Sequence, residues 1–208
     1  LIFLIATFLG TLYALNDDDP VQQTSGMIYA GAAVGAVLAG DLISLFIYWE
    51  LTAISSVFLI LAAGTEKARH AAMRYLIIQV GSGVLLLAGA IIVYSETDTI
   101  AFNHIGLESI GGKLIFLAFG IKCAFPLLHN WLQDSYPEAT ISGTVMLSAF
   151  TTKLAVYSLA RGYAGTEILI VIGAIMTMFP IFYAVIENDL RRVLTYSLNN
   201  QLGFMVVG

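Results

Sequence analysis

The chain has 208 residues, of which 59% are hydrophobic and only 11% are charged, and its mean hydropathy is +0.87. Several runs of about 18 residues carry no charge, which is the length that predicts membrane-spanning helices and excludes a soluble domain. The net charge of −5 says little about partners, because the charges lie mostly in short loops. The single cysteine, Cys123, excludes an internal disulfide and a cysteine-ligated metal cluster.

Eight hydrophobic segments follow one another along the chain, each near the length needed to cross the hydrocarbon core. They predict an all-α, polytopic transmembrane helical bundle. The chain starts inside one apolar run and stops inside another, so we expect it to be an internal piece of a longer protein. The segments cover about 1–15, 24–39, 41–63, 68–94, 112–133, 139–160 and 166–186, and the eighth begins near 192.

Basic residues are distributed unevenly over the connections between these segments. Five adjoin odd-numbered connections and two adjoin even-numbered ones: Lys67, Arg69, Arg74, Arg191 and Arg192 against Lys113 and Arg161. Cytoplasmic loops collect Lys and Arg, whereas Asp and Glu contribute little to the bias. The odd-numbered connections are therefore predicted to be cytoplasmic, and the acidic run Asp17-Asp18-Asp19 is predicted to be a solvated loop.

Three charged residues, Glu50, Lys122 and Lys153, each lie about halfway along a hydrophobic segment. A charge at the centre of a bilayer costs at least about 2.5–3.5 kcal/mol, and such residues mark ion or proton pathways. A carboxylate at a variable distance from a partly desolvated amine would switch that amine between holding and releasing its proton. The pattern predicts a proton relay. The alternative is a static ion pair between Glu50 and Lys122 that holds helices together.

The fifth segment contains a proline, Pro126, four residues after Lys122. A proline inside a helix removes a backbone donor and clashes with the carbonyl four residues earlier, so a broken helix is predicted here. Loose backbone at membrane depth is tolerated only against protein or water, which predicts a hydrated cavity beside Lys122. His129 follows Lys122 by about two helical turns and would relay protons between Lys122 and Lys153. Alternatively, it anchors a helix end by hydrogen bonds near Trp131.

Two weaker patterns concern helix packing. Gly31 and Gly35 form a small-residue pair that predicts a close approach between helices. In the last segment, the polar residues from Tyr196 to Gln201 are too dense for contact with lipid. They either extend a wet path or fix helix packing, and the sequence leaves both alternatives open.

Four motifs follow one another along the chain, Phe46–Leu51, Gly120–Ala139, Phe150–Tyr157 and Glu187–Ser197, within a resemblance that covers nearly the whole chain. In this order they resemble the proton-conducting antiporter-like subunits, which comprise Mrp-type Na+/H+ antiporter subunits and related membrane subunits of respiratory complex I. The resemblance implies that Glu50 is the family's carboxylate, that Lys122 is the lysine it pairs with on a broken helix, and that Lys153 is the central lysine of the next helix.

The resemblance also implies an architecture of about fourteen helices built around two inverted five-helix repeats. Residues 1–22 would then form the end of an N-terminal helix and an acidic loop. Residues 23–161 would form the first repeat, and residues 162–208 would begin the second. The exit-side charged residue of the relay is expected beyond Gly208.

The stretches Asp134–Thr140 and Tyr196–Gly203 are closer to the D-type branch of the Mrp subunits. The resemblance therefore implies a component of a multisubunit Na+/H+ antiporter in the bacterial inner membrane, with other membrane subunits, the lipid bilayer, protons and Na+ as partners. The alternative is a proton-pumping component of an NADH:quinone oxidoreductase, whose redox chemistry lies in other subunits. A third possibility is a passive scaffold. We expect no cofactor, metal site, catalytic chemistry or nucleic-acid partner in this chain.

Overall fold

The computed structural model describes all 208 residues as an all-helical bundle of nine α-helices without β-strands. Every predicted segment corresponds to one helix except the fifth, which is split in two. The all-α prediction is thus confirmed. The helices are α1 (Ile2–Tyr13), α2 (Pro20–Leu38), α3 (Leu42–Leu61), α4 (Glu66–Thr97), α5 (Ile110–Lys122), α6 (Asn130–Ser135), α7 (Ile141–Gly162), α8 (Ile168–Ile186) and α9 (Leu190–Val207).

Polar residues at the segment boundaries determine where most helices begin. In six helices the residue before the first turn accepts a hydrogen bond from a backbone N–H of that turn, an interaction that stabilises a helix by about 1 kcal/mol. The side chains are those of Asp19, Asp41, Thr65, Ser109, Thr140 and Asp189. At Asp41 the backbone N–H and the hydroxyl of Ser44 both donate at 2.7 Å, and these bonds lower the pKa of the Asp41 carboxyl.

Odd- and even-numbered connections lie at opposite ends of the bundle. At the even-numbered end, the Phe102 N–H donates to the Gly40 carbonyl (2.9 Å) and the Ile105 N–H donates to the Gly162 carbonyl (2.8 Å). At the other end three contacts join distant parts of the chain: Gln22 to Ser142, Arg74 to Asp134, and Arg191 to Ala139. This alternation is the one expected if each segment crosses the membrane once. Which end is cytoplasmic stays a prediction.

Three helices, α3, α4 and α8, are each long and apolar enough to cross a membrane, judged by length and composition alone. Helix α4 has 32 residues and is therefore about 48 Å long, which exceeds a hydrocarbon core of about 30 Å. In α7, polar side chains such as Ser142, Thr152 and Ser158 are buried inside the protein. Large apolar side chains are instead exposed along most helices, as lipid contact requires.

Two apolar clusters fill the interior, and a polar level separates them. The first cluster includes Trp49, Leu86 and Leu154, and lies toward the even-numbered connections. The second cluster includes Val57, Tyr75 and Phe150, and lies toward the odd-numbered connections. Helices α3, α4 and α7 each pass from one cluster to the other, and polar residues occupy the interval between them in all three.

Candidate functional site

We call this level the central polar layer. It comprises the residues of α3, α4 and α7 that lie between the two apolar clusters, together with Lys122 at the end of α5, which bonds to α3 at this level. The members from the three helices are Glu50, Thr52, Ser55 and Ser56 in α3, Gln79, Ser82 and Gly83 in α4, and Thr151, Thr152 and Lys153 in α7. The three charges found in the sequence therefore belong to one level of the bundle. Their common depth follows from helix packing and was not fixed by the sequence pattern alone.

Lys122 is the most enclosed of the three charges, with 1% of its surface exposed. Its ammonium donates to the Thr52 hydroxyl (2.9 Å) and to the Trp49 carbonyl (3.1 Å), and it lies 4.3 Å from the centre of the Trp49 ring. It is also the last residue of α5, where the helix dipole favours a positive charge. These contacts favour the charged form of the amine and oppose the cost of removing it from water.

Glu50 is half-buried and is not bonded to Lys122. Its Oε1 atom is buried and has no hydrogen-bond partner. The ion pairs of the chain join other residues, so the ammonium of Lys122 lies more than 4.0 Å from the carboxylate. The two side chains are nevertheless close enough for their charges to interact. The structure therefore lacks the static ion pair that was the alternative to a relay.

Lys153 lies in the middle of α7 and is half-buried. No hydrogen bond or ion pair within the chain holds its ammonium, and the titratable group that interacts with it is the buried thiol of Cys123. Cys123 directly follows Lys122, so the two lysines belong to the same neighbourhood. The neighbouring Thr152 hydroxyl is buried without a partner. Lys153 thus has all three of its N–H donors free, whereas Lys122 uses two of its three.

The predicted broken helix is confirmed, and the break spans Cys123 to His129. Ala124 and Leu127 have left-handed backbone angles (φ of 60° and 70°), which a continuous helix does not allow. The Trp131 indole donates to the Ile121 carbonyl at 2.9 Å, and the Ala124 N–H donates to the same oxygen at 3.1 Å. A cavity of about 420 Å³ lies beside the break and is lined by Ile78, Gly81, Leu85, Ile121, Leu127, Leu128, Asn130 and Trp131. Lys122 does not line it, so water next to the lysine stays a prediction.

His129 precedes α6 at the end of the break. Its side chain makes no capping hydrogen bond, which removes the alternative in which it anchors the helix end. The ring packs on Phe179 of α8 at 4.6 Å between centroids, and its buried Nδ1 has no partner. No direct contact joins it to Lys122 or Lys153, so a part in the relay stays a prediction that requires bridging water.

A cluster of four buried hydroxyl groups was missed by the sequence analysis. The Tyr75 hydroxyl lies 2.9 Å from that of Ser56 and 3.4 Å from that of Thr151, and Tyr29 also bonds to Thr151. We call these residues the hydroxyl cluster; it joins α2, α3, α4 and α7. Tyrosines inside apolar segments look like ordinary membrane residues. The available signal was the spacing of Tyr75, Gln79 and Ser82, which places them on one face of α4.

Several further buried polar atoms have no protein partner. Both amide atoms of Gln79, Gln133 and Asn199 are unpaired, as is the hydroxyl of Ser135. Asn199 belongs to the polar stretch of the last segment and lies between Leu198 and Leu202, which pack on opposite apolar clusters. Buried polar groups nearly always have partners, and ordered water supplies them where protein does not. These atoms therefore mark places suited to internal water.

Sequence comparisons connect the chain to known proteins. Residues 39–208 match the family described as "NADH:quinone oxidoreductase/Mrp antiporter, TM". The chain is 30% identical to the D subunit of the Na(+)/H(+) antiporter of Alkalihalophilus pseudofirmus, over 84% of this chain and 39% of that protein. It is 28% identical to "NAD(P)H-quinone oxidoreductase chain 4-2" of Synechocystis, over 88% of this chain and 36% of that protein. The chain thus spans less than half the length of these relatives.

Solved structures share the fold. A chain of the Mrp complex from Dietzia superposes with a TM-score of 0.86 at 23% identity, covering 99% of this chain and 43% of that one. A chain of respiratory complex I from Thermus thermophilus superposes with a TM-score of 0.89 at 18% identity, covering 99% and 49%. At these identities the likeness concerns the fold alone. The arrangement of helices is therefore common to both kinds of complex.

Proposed function

Because the chain belongs to the NADH:quinone oxidoreductase/Mrp antiporter family of transmembrane proteins, we propose that it carries protons along the central polar layer. One observation supports this more than any other: Glu50, Lys122 and Lys153 lie at a single level between two apolar clusters. Charged groups are costly at that depth and are rare there unless they serve transport. A passive scaffold has no need of them.

In the proposed relay, Glu50 changes the electrostatic energy of a proton on Lys122, and Lys122 passes its proton toward Lys153. Internal water bound to the unpaired atoms of the layer, such as the Thr152 hydroxyl, bridges the gaps. His129 takes part through its buried Nδ1, again by way of water. No protein group accepts a hydrogen bond from Lys153, so in the relay internal water must stabilise the proton that it receives.

We further propose that the whole protein is the D-type component of a multisubunit Na+/H+ antiporter in a bacterial inner membrane. Similarity to the antiporter protein of Alkalihalophilus supports this, and so do the motifs at Asp134–Thr140 and Tyr196–Gly203. Residues 1–22 would then be the end of an N-terminal helix with its acidic loop. Residues 23–161 would be the first inverted repeat, and residues 162–208 would begin the second. Similarity to a quinone oxidoreductase chain supports the second candidate, a membrane component of complex I.

The relay is tested by Lys122→Ala and Glu50→Ala in the full-length protein within its complex. We expect both changes to abolish proton flux in inverted membrane vesicles while the complex still assembles. Matched controls are Lys113→Ala, an exposed lysine of the same helix, and Glu96→Ala, an exposed glutamate of α4. Normal flux in Lys122→Ala would refute the relay. Flux driven by a Na+ gradient supports the antiporter, whereas flux driven only by NADH and quinone supports the alternative.

A further inference from the structure

The Glu50 carboxyl lies in a notch on the surface of α4 that exists because residue 83 is glycine. A Cβ atom at Gly83 would be 1.5 Å from Glu50 Oε1 and 2.6 Å from its Cδ. Such distances are far below van der Waals contact. No side chain larger than hydrogen is therefore compatible with this position of Glu50.

The backbone does not require glycine at residue 83. Gly83 lies inside the regular helix α4 and is not among the residues with left-handed backbone angles. A glycine inside a helix costs about 1 kcal/mol relative to alanine, so a compensating role is expected. Close packing between helix backbones is not that role. The three atoms nearest the missing Cβ all belong to the Glu50 side chain, whereas at Gly89 they include the Gly111 carbonyl.

The notch offers no hydrogen-bond donor to the carboxyl. Glu50 Oε1 is buried there without a partner, and the charged group that acts on it, Lys122, forms no ion pair with it. Burying an unpaired carboxylate is costly, whereas a neutral carboxylic acid loses far less on leaving water. In the notch the neutral acid of Glu50 is therefore more stable than the ionised carboxylate. Close to the positive charge of Lys122 the ionised carboxylate is the more stable form.

We propose that Gly83 is a positioning residue that holds protonated Glu50 away from Lys122, so that gain or loss of a proton moves the carboxyl between two places. This inference rests on the proposed proton relay and adds a mechanism for its regulation. When the carboxyl is in the notch, Lys122 keeps only its bonds to Thr52 and Trp49. When the carboxyl leaves the notch, the lysine gains a negative neighbour.

The test compares two glycines of the same helix. Gly83→Ala fills the notch and forces the carboxyl out of it, whereas a Cβ at Gly81 meets no atom within 4 Å. We expect Gly83→Ala to lower proton flux by about tenfold or more, since a displacement of about 1 Å at a reacting group can cost up to 10²-fold. Gly81→Ala should match the wild type. Both variants should assemble normally in the full complex.

A double variant separates positioning from general damage to the helix. Aspartate is one methylene shorter than glutamate, so its carboxyl does not extend to the Oε1 position that lies nearest the missing Cβ, and Gly83→Ala should have a smaller effect in a Glu50→Asp background. Equal losses in the two backgrounds, or normal flux in Gly83→Ala, would overturn the proposal. If Glu50→Ala keeps full flux, the proposed relay itself fails, which is a distinct result.

Infrared difference spectroscopy applies even if Glu50→Asp carries too little flux to compare. The carbonyl band of a neutral acid without hydrogen bonds should be present in the wild type and in Gly81→Ala. The band should disappear in Glu50→Gln, and its loss there would assign it to Glu50. In Gly83→Ala the band should move to lower frequency or vanish. An unmoved band in Gly83→Ala would overturn the inference.

Discussion

Replacing Thr52 by valine tests how Lys122 is held inside the protein. Valine has nearly the same shape as threonine but lacks the hydroxyl that accepts a hydrogen bond from Lys122 at 2.9 Å. Hydrogen bonds to charged groups contribute about 1.5–3 kcal/mol, and the Trp49 carbonyl remains as an acceptor, so we expect a loss near the lower value. That loss corresponds to about tenfold in an equilibrium, and proton flux should fall by a similar factor.

The assay is proton flux in inverted vesicles, normalised to the amount of assembled complex. Thr52→Ser is the matched control, because serine keeps the hydroxyl and should keep most of the flux. The Thr52 hydroxyl also donates to the Trp49 carbonyl, so both variants need a check of assembly. Equal flux in the valine and serine variants would show that the hydroxyl does not hold the lysine, and the reasoning about Lys122 would be wrong.

Three further predictions concern stability, measured by thermal unfolding of the purified complex. Asp41→Ala should cost about 1 kcal/mol at neutral pH. Because the bonds from Ser44 lower the pKa of Asp41, its stabilisation is fully present above the ordinary aspartate value of about 3.9 and is lost as the pH falls through the lower pKa of the folded state; a cost that grows on acidification would contradict this. Tyr75→Phe, which removes two contacts of the hydroxyl cluster, should cost about 1 kcal/mol and leave flux unchanged if the cluster only joins helices. Gly203→Ala should cost about 1–3 kcal/mol by overpacking against Thr177, whereas Gly31→Ala, which faces open space, should not destabilise the protein.

The helices could be located from the sequence because the length of an apolar run is a local property. Seven predicted segments correspond to single helices, and Pro126 correctly predicted the break in the other. The extent of the break was not predictable. It includes Ala124 and Leu127 in left-handed conformations, and neither residue type signals that geometry. The conformation depends on tertiary contacts such as the bond from Trp131 to the Ile121 carbonyl.

Contacts between distant residues were harder to predict than the segments. Of the pair Gly31 and Gly35, only Gly35 has a close neighbour, the Tyr48 ring of α3, while Gly31 faces open space. The close backbone approaches instead pair Gly89 with Gly111 and Gly173 with Gly203. Each of these pairs joins residues 22 or more positions apart, so no spacing rule within one helix reveals them.

The charged members of the site were predictable because charges are rare at membrane depth. Thr52 and Gln79 were not, because single polar residues are common in membrane helices and acquire meaning only from what they contact. Thr52 matters because its hydroxyl faces the ammonium of Lys122. Gly83 is a similar case, since its role depends on the Glu50 side chain of a neighbouring helix.

The three intramembrane charges are held in three different ways, and this difference suggests where a relay is controlled. Lys122 has two acceptors and an aromatic ring, Lys153 has no protein acceptor, and the Glu50 carboxyl lies unpaired in the notch. When Lys122 releases its proton, it loses the extra stability of hydrogen bonds from a charged group, which are worth about 1.5–3 kcal/mol each. Proton transfer therefore requires a compensating change nearby. Glu50 is the charged group that acts on Lys122. In the proposed relay, the movement of this carboxyl therefore controls when Lys122 releases its proton, and internal water stabilises the proton on Lys153, to which the protein offers no acceptor.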